Sequence, residues 1–476
     1  MTSSNAFIET HLEPAVAVIL AAGKSTRMRS QIPKALHRVC GLPLTRHVIE
    51  ACRQAGVQRI VVVIGHGAEQ VRQGLGGDVE YVVQAEQLGT GHAALCAQPA
   101  LRDHQGPILL LAGDVPLLKA ETLQRLVAAA RQPGIAGAML VATMEDPTGY
   151  GRVLLDSAGY VQRIVEQKDA SPEEATIKTW NPSVYCFKGL GLWERLSRVR
   201  ADNAQKEYYL TDVVELTAAD GERVIGVPVA DAREVLGVNS RLDLAEVIRV
   251  MQERVLRDLM LSGVTIRDPH STYVDVTVEV APDTVIEPQT YLLGNTRVAS
   301  DCVLGPMTVL QDCTVGEGCT IVMSHLEGST VGRQVRIGPF SRVRPGCLIG
   351  DAVKIGDFVE LKNAVVGEGV SAAHLSYLGD VEIGAHTNVG AGTITCNYDG
   401  FKKHRTTIGE GVFLGSDSIL VAPVTIGDGA MTAAGSTITE DVPPNALAIG
   451  RVRQITKLEW ATRWRNARRK RERMNG

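Results

Sequence analysis

Val331-Gly-Arg-Gln-Val-Arg-Ile337-Gly-Pro-Phe-Ser-Arg-Val343-Arg-Pro-Gly-Cys-Leu-Ile349-Gly-Asp-Ala-Val-Lys-Ile355-Gly-Asp-Phe-Val-Glu-Leu361 places an aliphatic residue at every sixth position. Val280, Ile286, Leu292, Val298, Leu304 and Leu310 form an earlier register of the same period. Ile408, Leu414, Leu420 and Ile426 form a third, continued by Thr432 and Ile438. If about a third of residues were Ile, Leu or Val, one such run of six would arise by chance roughly once in a thousand registers. Glycine often follows directly, as at Gly305, Gly338, Gly350, Gly356, Gly409, Gly415 and Gly427. A helix cannot carry this period, because six is not close to a multiple of 3.6. A hexapeptide β-helix can: each hexad supplies a short strand and a corner, with the aliphatic residue inward and the small residue at the turn. Three hexads close a triangular coil of about 18 residues, and stacking at ~4.8 Å pairs every backbone group with the coils above and below. The array predicts about ten coils.

The register breaks around Gly367 to Leu378 and again around Cys396 to Thr407. Insertions in a repeat array leave the regular wall and tend to carry function. The second break, Cys396-Asn-Tyr-Asp-Gly-Phe-Lys-Lys-His404, is polar and holds aromatics. Upstream of the array, residues 239 to 262 read as one helix. Asn239 or Ser240 can cap it, and Leu242, Leu244, Val247, Ile248, Met251, Val255 and Leu259 recur at helical spacing before Gly263. Before that, strands at Val16 to Leu20, Arg59 to Ile64 and Ile108 to Leu111 alternate with amphipathic stretches at Leu44 to Ala55 and Glu121 to Arg131. Alternation of this kind implies a layered α/β sheet with parallel pairing. The predicted organisation is an N-terminal extension (1–14), an α/β domain (15–240), a linker helix (241–262), a β-helix (263–450) and a basic C-terminal arm (451–476), read as a solvated terminal helix.

The 476 residues are 21% charged with a formal net charge of −4, which excludes a globally basic nucleic-acid binder and a charge-rich disordered chain. No apolar run approaches the ~18 residues needed to span a bilayer, so no membrane insertion is expected. The first twelve residues lack Lys and Arg and include Glu9, so no secretory signal is expected. Nine cysteines, odd in number and without a CxxC pair, point to free thiols in a reducing compartment, the cytoplasm. Cys313 and Cys319 read as two stacked small side chains.

Two groups of residues suggest chemistry. Leu20-Ala-Ala-Gly-Lys-Ser-Thr-Arg-Met28 follows a strand directly. Its small residues let a ligand approach the backbone, successive N–H groups can form an anion nest, and Lys24, Arg27 and Lys34 add charge. It is neither a Walker loop, since Val18 stands where Gly is needed, nor a GxGxxG fingerprint. Leu109-Leu-Leu-Ala-Gly-Asp114 ends a buried strand with a carboxylate suited to Mg²⁺. Gln84-Ala-Glu-Gln-Leu-Gly-Thr90 ends another with amides fit for a nucleobase edge or sugar hydroxyls. In the array, Arg344 and Lys362 lie 18 apart, one coil, and so stack into a phosphate site. His374 stands near these cations with Tyr377 and Asn388, as a base.

The L-A-A-G-K-S-T-R-M, Q-A-E-Q-L-G-T and A-G-D-V-P-L segments resemble the nucleotide-diphospho-sugar pyrophosphorylases. Joined to a long hexapeptide array, the chain from about Ala15 to Arg453 resembles the bacterial bifunctional N-acetylglucosamine-1-phosphate uridyltransferase and glucosamine-1-phosphate acetyltransferase family. The resemblance implies a Rossmann-like nucleotidyltransferase domain followed by a left-handed parallel β-helix. It implies UTP or UDP-sugar contacts from Leu20, Ala21, Ala22, Gly23, Arg27, Lys34, Gln84, Gly89, Thr90, Ala112, Gly113 and Asp114. Gly151, Glu166 and Asn181 would hold the sugar, and Asp114 and Asn239 would share one Mg²⁺. His374 would be the acetyl-transfer base; Arg344, Lys362, Tyr377, Asn388 and Lys403 would bind glucosamine-1-phosphate. Backbone N–H near Ala391 would stabilise the oxyanion, and Asn397, Tyr398, Ser416, Ala434 and Arg451 would line the acetyl-CoA channel. A homotrimer is implied, with sites between neighbouring walls.

Two positions depart from the family pattern: Ser25 replaces the second loop Gly, and Pro182-Ser183 stands where Thr-Gly is usual. The first would tighten the loop and the second would touch the sugar contacts. Three alternatives compete. One is a single-activity sugar nucleotidyltransferase with a structural or regulatory β-helix. Another is a hexapeptide zinc enzyme using His374, His386 and His404. The third is a catalytically dead scaffold.

Overall fold

The computed structural model describes residues 13–24 and 26–474; Ser25 and most of the N-terminal extension lie outside them. The chain forms two compact units, one running to Asp258 with Val274–Val276, the other made of Leu259–Tyr273 and the residues from Thr277 onward.

In the first unit, Glu80–Val83, Arg59–Ile64, Val16–Ala21 and Pro107–Ala112 lie side by side and parallel. Val184–Lys188 then adds antiparallel to Pro107–Ala112, and among the described residues the sheet grows to ten strands. The continuous apolar run of the first strand follows from covering both faces. Ala17 and Ile19 enter one core with Val48, Ile49 and Leu126, while Val16 and Val18 enter another with Ala94, Leu101 and Leu192. The chain steps from Val16–Ala21 to one neighbour and later returns to pair on the other side. Such a switch point opens a crevice beyond the strand ends, and the loops after Ala21, Val83 and Ala112 all begin there. The helices Leu44–Gln54 and Ala120–Ala130 match the two amphipathic stretches.

Helix Arg241–Leu261 buries Leu244, Val247, Val250 and Met251 against Met28, Val39, Leu44, Leu117 and Val238. It is therefore a packed part of the first unit for most of its length rather than a bare connector. Its cap is Ser240: Asp243 N–H donates to Ser240 Oγ, while Asp243 Oδ2 accepts from the N–H groups of Asn239 and Ser240. The Asn239 side chain is left free for another task.

The second unit is a stack of parallel coils. Ile337 pairs with Ile355, Val343 with Leu361 and Leu292 with Leu310, each eighteen residues on. Val331, Ile337, Val343, Ile349, Ile355 and Leu361 are at most 4% exposed, as an inward ladder requires. The registers before and after residues 310–331 differ because the coils there are shorter: Leu310 pairs with Leu326, sixteen residues on. The corners are residues with φ > 0, such as Phe340, Phe358 and Leu375 at +58°, +59° and +36°.

Two expectations need correction. The break at 367–378 is not an insertion. Ser371–Gly379 runs unbroken beside Lys354–Lys362, with Leu361 opposite Leu378, so this coil has lost one residue and stays in the wall. Only the second break leaves the wall, since Ile383 pairs with Ile408, twenty-five residues on. Nor do Cys313 and Cys319 stack on each other. They belong to different walls, and the strand pairing sets Cys319 above Cys302 instead. The C-terminal segment forms an exposed helix, Trp460–Met474. Among the described residues no helix is long and apolar enough to cross a membrane.

Two candidate active sites

At the crevice of the first unit, Lys34 Nζ contacts the Asp114 carboxylate and lies 2.9 Å from Asn239 Oδ1. Arg27 Nη2 donates to the same Asn239 oxygen at 3.0 Å. Four predicted residues, spread over more than two hundred positions, thus meet in one cluster of two cations, a carboxylate and an amide. Gly113 holds the strand ends together: its N–H donates to Leu20 O at 3.0 Å, and its carbonyl accepts from Thr45 Oγ1 at 2.8 Å. A Cβ at Gly23 would meet no protein atom within 4 Å, so the space in front of the loop is clear. Asp114 and Asn239 offer two oxygen donors side by side. That suits Mg²⁺, which keeps most of its water and takes few protein ligands beside substrate phosphates.

Gln84 is buried and donates to Gly89 O at 3.1 Å, which shapes the following loop. Gly89 has φ +115°, and a Cβ there would stand 2.5 Å from Tyr208 O, so only glycine fits. The Thr90 hydroxyl accepts from Leu210 N–H at 3.0 Å and keeps its own O–H to donate. Gly151, Glu166 and Asn181 also converge. Asn181 pairs with Gly151 across antiparallel strands, and a Cβ on Gly151 would lie 3.5 Å from Glu166 Oε2. Burial, with Asp169 nearby, pushes the Glu166 carboxyl above the ordinary range. Ser183 keeps the left-handed turn (φ +58°) that the usual Gly would take freely. Its carbonyl accepts from Ala112 N–H at 3.2 Å.

Arg152 is a residue the sequence did not flag. Buried beside Gly151, it donates to Pro147 O and Tyr150 O and to Gln167 Oε1 at 3.0 Å, tying together the loops around the sugar residues. No spacing marks it, because its partners are mainly carbonyls. Tyr150 packs on Trp180, ring centroids 4.1 Å apart, and Arg27 and Asp114 lie close enough to influence its hydroxyl.

The second site occupies one wall of the β-helix and its two edges. Strand pairing puts His374 over Asp357, and the same registers continued put Ala391, Ser416 and Ala434 above it. Arg451 closes the column, its Cδ 3.7 Å from where a Cβ on Gly435 would stand. His374 is exposed, and its carbonyl accepts from Ser376 Oγ at 2.9 Å. Asn388 lies over Ser371, on the wall that leads into His374. The next corner, at Asp380, gathers cations. Lys362 Nζ is 3.8 Å from the Asp380 carboxylate. Arg344 stacks one coil below Lys362 as predicted, with Nη1 at 3.2 Å from Glu360. Tyr377 and Asn397 are 3.3 Å apart at their polar ends, and Lys403 lies against Lys362, which lowers its pKa. Between the two edges runs a wall of five residues, about 16 Å of extended chain, with Tyr377 on its outer face.

The second break forms a small hairpin. Tyr398 bridges Lys403, and Asp399 accepts from the N–H groups of Phe401 and Lys402 and contacts His404 at 2.7 Å. These bonds hold the Asp399 carboxyl at a pKa of about 2. Asn397 and Tyr398 therefore stand at the cation edge and not in the His374 column. His374, His386 and His404 are not brought together: His386 is a corner residue of another edge, and His404 belongs to the hairpin. Among the described residues no group of three or more His, Cys, Asp or Glu is placed to hold a metal ion.

Comparison with known proteins adds three family matches: a MobA-like NTP transferase domain over residues 17–205, a GMPPB C-terminal domain over 269–368, and bacterial transferase hexapeptide repeats over 405–440. The chain is 50% identical to the bifunctional protein GlmU of Brevibacillus brevis over 447 residues, 94% of this chain and 97% of that protein. It is 52% identical to the GlmU of Stutzerimonas stutzeri over 92% of this chain and 96% of that one. Against the GlmU of Pelobacter propionicus it is 48% identical over 95% and 99%.

Proposed function

The chain belongs to the family of bifunctional GlmU proteins, and from that premise we propose that it makes UDP-N-acetylglucosamine in two steps, one on each unit. Glucosamine-1-phosphate is first acetylated on the β-helix. His374 takes a proton from the substrate amine, whose nitrogen attacks the thioester carbonyl of acetyl-CoA. Backbone N–H near Ala391 receives the oxyanion that forms; as it collapses the C–S bond breaks, and CoA leaves as the thiol with the proton that His374 took from the amine. Arg344, Lys362 and Lys403 grip the phosphate at the far edge of the wall, with Tyr377 and Asn388 beside the sugar.

The product then meets UTP in the first unit. A phosphate oxygen of N-acetylglucosamine-1-phosphate attacks the α-phosphorus, and pyrophosphate leaves. No covalent bond to the protein forms, so positioning and charge are the catalysis. The loop at Leu20, Ala21, Ala22 and Gly23 cradles the nucleotide, Gln84, Gly89 and Thr90 face the base, and Ala112 and Gly113 line the crevice. Gly151, Glu166 and Asn181 orient the sugar. Arg27 and Lys34 neutralise phosphate charge. Asp114 and Asn239 would hold Mg²⁺, which when bound supplies charge stabilisation for the departing pyrophosphate.

A homotrimer in the cytoplasm suits this reading. In one chain Asn397 and Tyr398 stand a wall away from the column of Ala391, Ser416, Ala434 and Arg451, so a channel lined by both groups forms when walls of neighbouring chains meet. The functional bounds are those of the sequence: nucleotidyl transfer on 15–240, the helix 241–262, acetyl transfer on 263–450 and the basic arm from 451.

The observation that carries the proposal is the convergence of Arg27, Lys34, Asp114 and Asn239 at the strand ends of one unit, while His374 belongs to a wall of the other. A single-activity nucleotidyltransferase leaves that wall unexplained. The test is a coupled assay with glucosamine-1-phosphate, acetyl-CoA, UTP and Mg²⁺, followed by the two reactions separately. His374→Ala should abolish acetyl transfer and spare uridylyl transfer; Asp114→Ala should do the reverse. Loss of both activities from a folded trimer carrying either substitution would overturn the assignment.

A further inference from the structure

The cation edge of the acetyl-transfer wall contains a carboxylate that no role above employs. Asp380 sits at a corner with φ +51°, a conformation that an Asp side chain tolerates better than most. Its backbone N–H donates to Lys362 O at 2.9 Å, and its carbonyl accepts from Thr406 N–H at 3.1 Å, where the hairpin excursion rejoins the wall. Its carboxylate does more. Oδ1 accepts from Asn363 Nδ2 at 2.9 Å, and Oδ2 takes a hydrogen bond from Asn397 and lies 3.8 Å from Lys362 Nζ. Lys403 is close enough to feel the same charge. The Asp380 side chain is only 14% exposed and that of Lys362 18%, so their contact is partly shielded from water.

We propose that Asp380 is the positioning residue of the phosphate grip, its carboxylate serving as resident counter-ion that lets Lys362 and Lys403 stand side by side and pins the hairpin residue Asn397 against them. Two ammonium groups at this separation repel. With no anion between them, the lysine on the loop, Lys403, is the one free to swing away, because Lys362 is anchored in a strand. Asp380 reaches both coils that flank the site, through Lys362 and Asn363 below and through Asn397 and Thr406 above. The surrounding groups are consistent with this role: Asn363 and Asn397 direct amide hydrogens at the carboxylate and hold its pKa below the ordinary value. The residue touches no reacting atom, so it acts through the lysines. This inference rests on the assignment of Lys362 and Lys403 to the sugar phosphate.

The test uses the full-length protein with Asp380→Ala, Asp380→Asn and Asp380→Glu, and measures acetyl transfer against both substrates. Removing charge-assisted hydrogen bonds should raise KM for glucosamine-1-phosphate by about tenfold for Asp380→Ala and Asp380→Asn. The kcat of acetyl transfer, KM for acetyl-CoA and uridylyl transfer should stay within about twofold. Asp380→Glu, which keeps the charge, should recover much of the loss. Calorimetric titration with glucose-1-phosphate, which has the phosphate but no amine, should show the same weakening without any turnover. An unchanged KM in Asp380→Ala, or a fall in kcat and in both activities together, would overturn the proposal, the second outcome marking a structural residue. Lys362→Ala is the reference. If it too leaves KM for glucosamine-1-phosphate unchanged, the phosphate assignment itself fails; if it raises KM while Asp380→Ala does not, only the positioning role fails.

Discussion

Leu378→Ala should weaken the acetyl-transfer wall and leave the rest of the molecule as it is. Leu378 is fully buried in Ser371–Gly379, the strand that carries both His374 and Tyr377. Below it lies Leu361, its partner in the register, and above it the strand Ile394–Cys396, tied on by the bond from Gly379 N–H to Thr395 Oγ1 at 2.8 Å. Truncation to Ala removes three carbon groups, about 2.5 kcal/mol of transfer free energy at roughly 0.8 kcal/mol each. A cavity term adds to this. Collapse is limited, because the coils on both sides are fixed by their backbone ladders, so the total should reach about 3–4 kcal/mol. In a stack of repeats each coil contacts only its neighbours, so the loss stays local. Hydrogen exchange read by mass spectrometry checks this. Amides in Lys354–Lys362, Ser371–Gly379 and Ile394–Cys396 should exchange at least about a hundredfold faster. Residues 285–310 and the strands Val16–Ala21 and Pro107–Ala112 should keep their protection. The temperature of half-inactivation of acetyl transfer should fall by about 6 °C or more, with that of uridylyl transfer unmoved. Uniform acceleration along the whole stack, or none at all, would refute the picture of a locally packed coil.

Two further outcomes concern the first unit. Gly89→Ala must move the Tyr208 backbone and hold Ala at φ +115°, a strain of about 1–3 kcal/mol; it should raise KM for UTP and leave acetyl transfer unchanged, as separate kinetic assays would show. Asp212 has its carboxyl pushed up to about 6, by burial first and then by Glu215 and Asp169. A raised carboxyl contributes stability that is fully present below the unfolded value near 4 and is lost as pH rises through 6. Asp212→Asn should therefore stabilise the first unit above pH 6, by about 1 kcal/mol once solvent screening is allowed for, and make no difference near pH 4. Urea melts at the two pH values measure it.

The hexad period could be read because an inward position in a narrow prism admits only aliphatic or small residues, and a corner recurs before each new strand. What could not be read was the length of each corner. Steps of five residues, as from Leu310 to Val315 or from Leu361 to Val366, look in sequence like a broken register, yet the wall passes through them intact. Hence a coil shortened between Leu361 and Val366 reads as an insertion at 367–378, and Cys319 reads as the partner of Cys313 when it lies over Cys302. Arg344 and Lys362 were visible as a pair because their coil has the full eighteen residues. Asp380 was not, because it sits at a corner and draws its partners from an irregular coil and a hairpin. In the first unit the loops on the strand ends were legible as phosphate-binding chemistry from small residues and charge. The place of Asn239 beside Asp114 and Lys34 was legible only through the family resemblance: taken alone an Asn before a helix reads as a cap, and the Ser240–Asp243 bonds show that the cap is already filled.

The two sites handle phosphate with the same charge arithmetic. Each holds at least two cations close together: Arg27 and Lys34 in one, Lys362 and Lys403 in the other. Each threads them with one aspartate and one asparagine: Asp114 with Asn239, and Asp380 with Asn397. Two like charges 4 Å apart repel by about 4 kcal/mol at the effective dielectric of a protein surface, against about 1 kcal/mol in bulk water. A pocket built of cations alone would therefore be destabilised before substrate arrives, and one of its lysines would shed its proton or leave. A resident carboxylate offsets that repulsion and holds the cations in place. Without the aspartate the grip on the incoming phosphate loosens, which is what the rise of about tenfold in KM expected for Asp380→Ala measures.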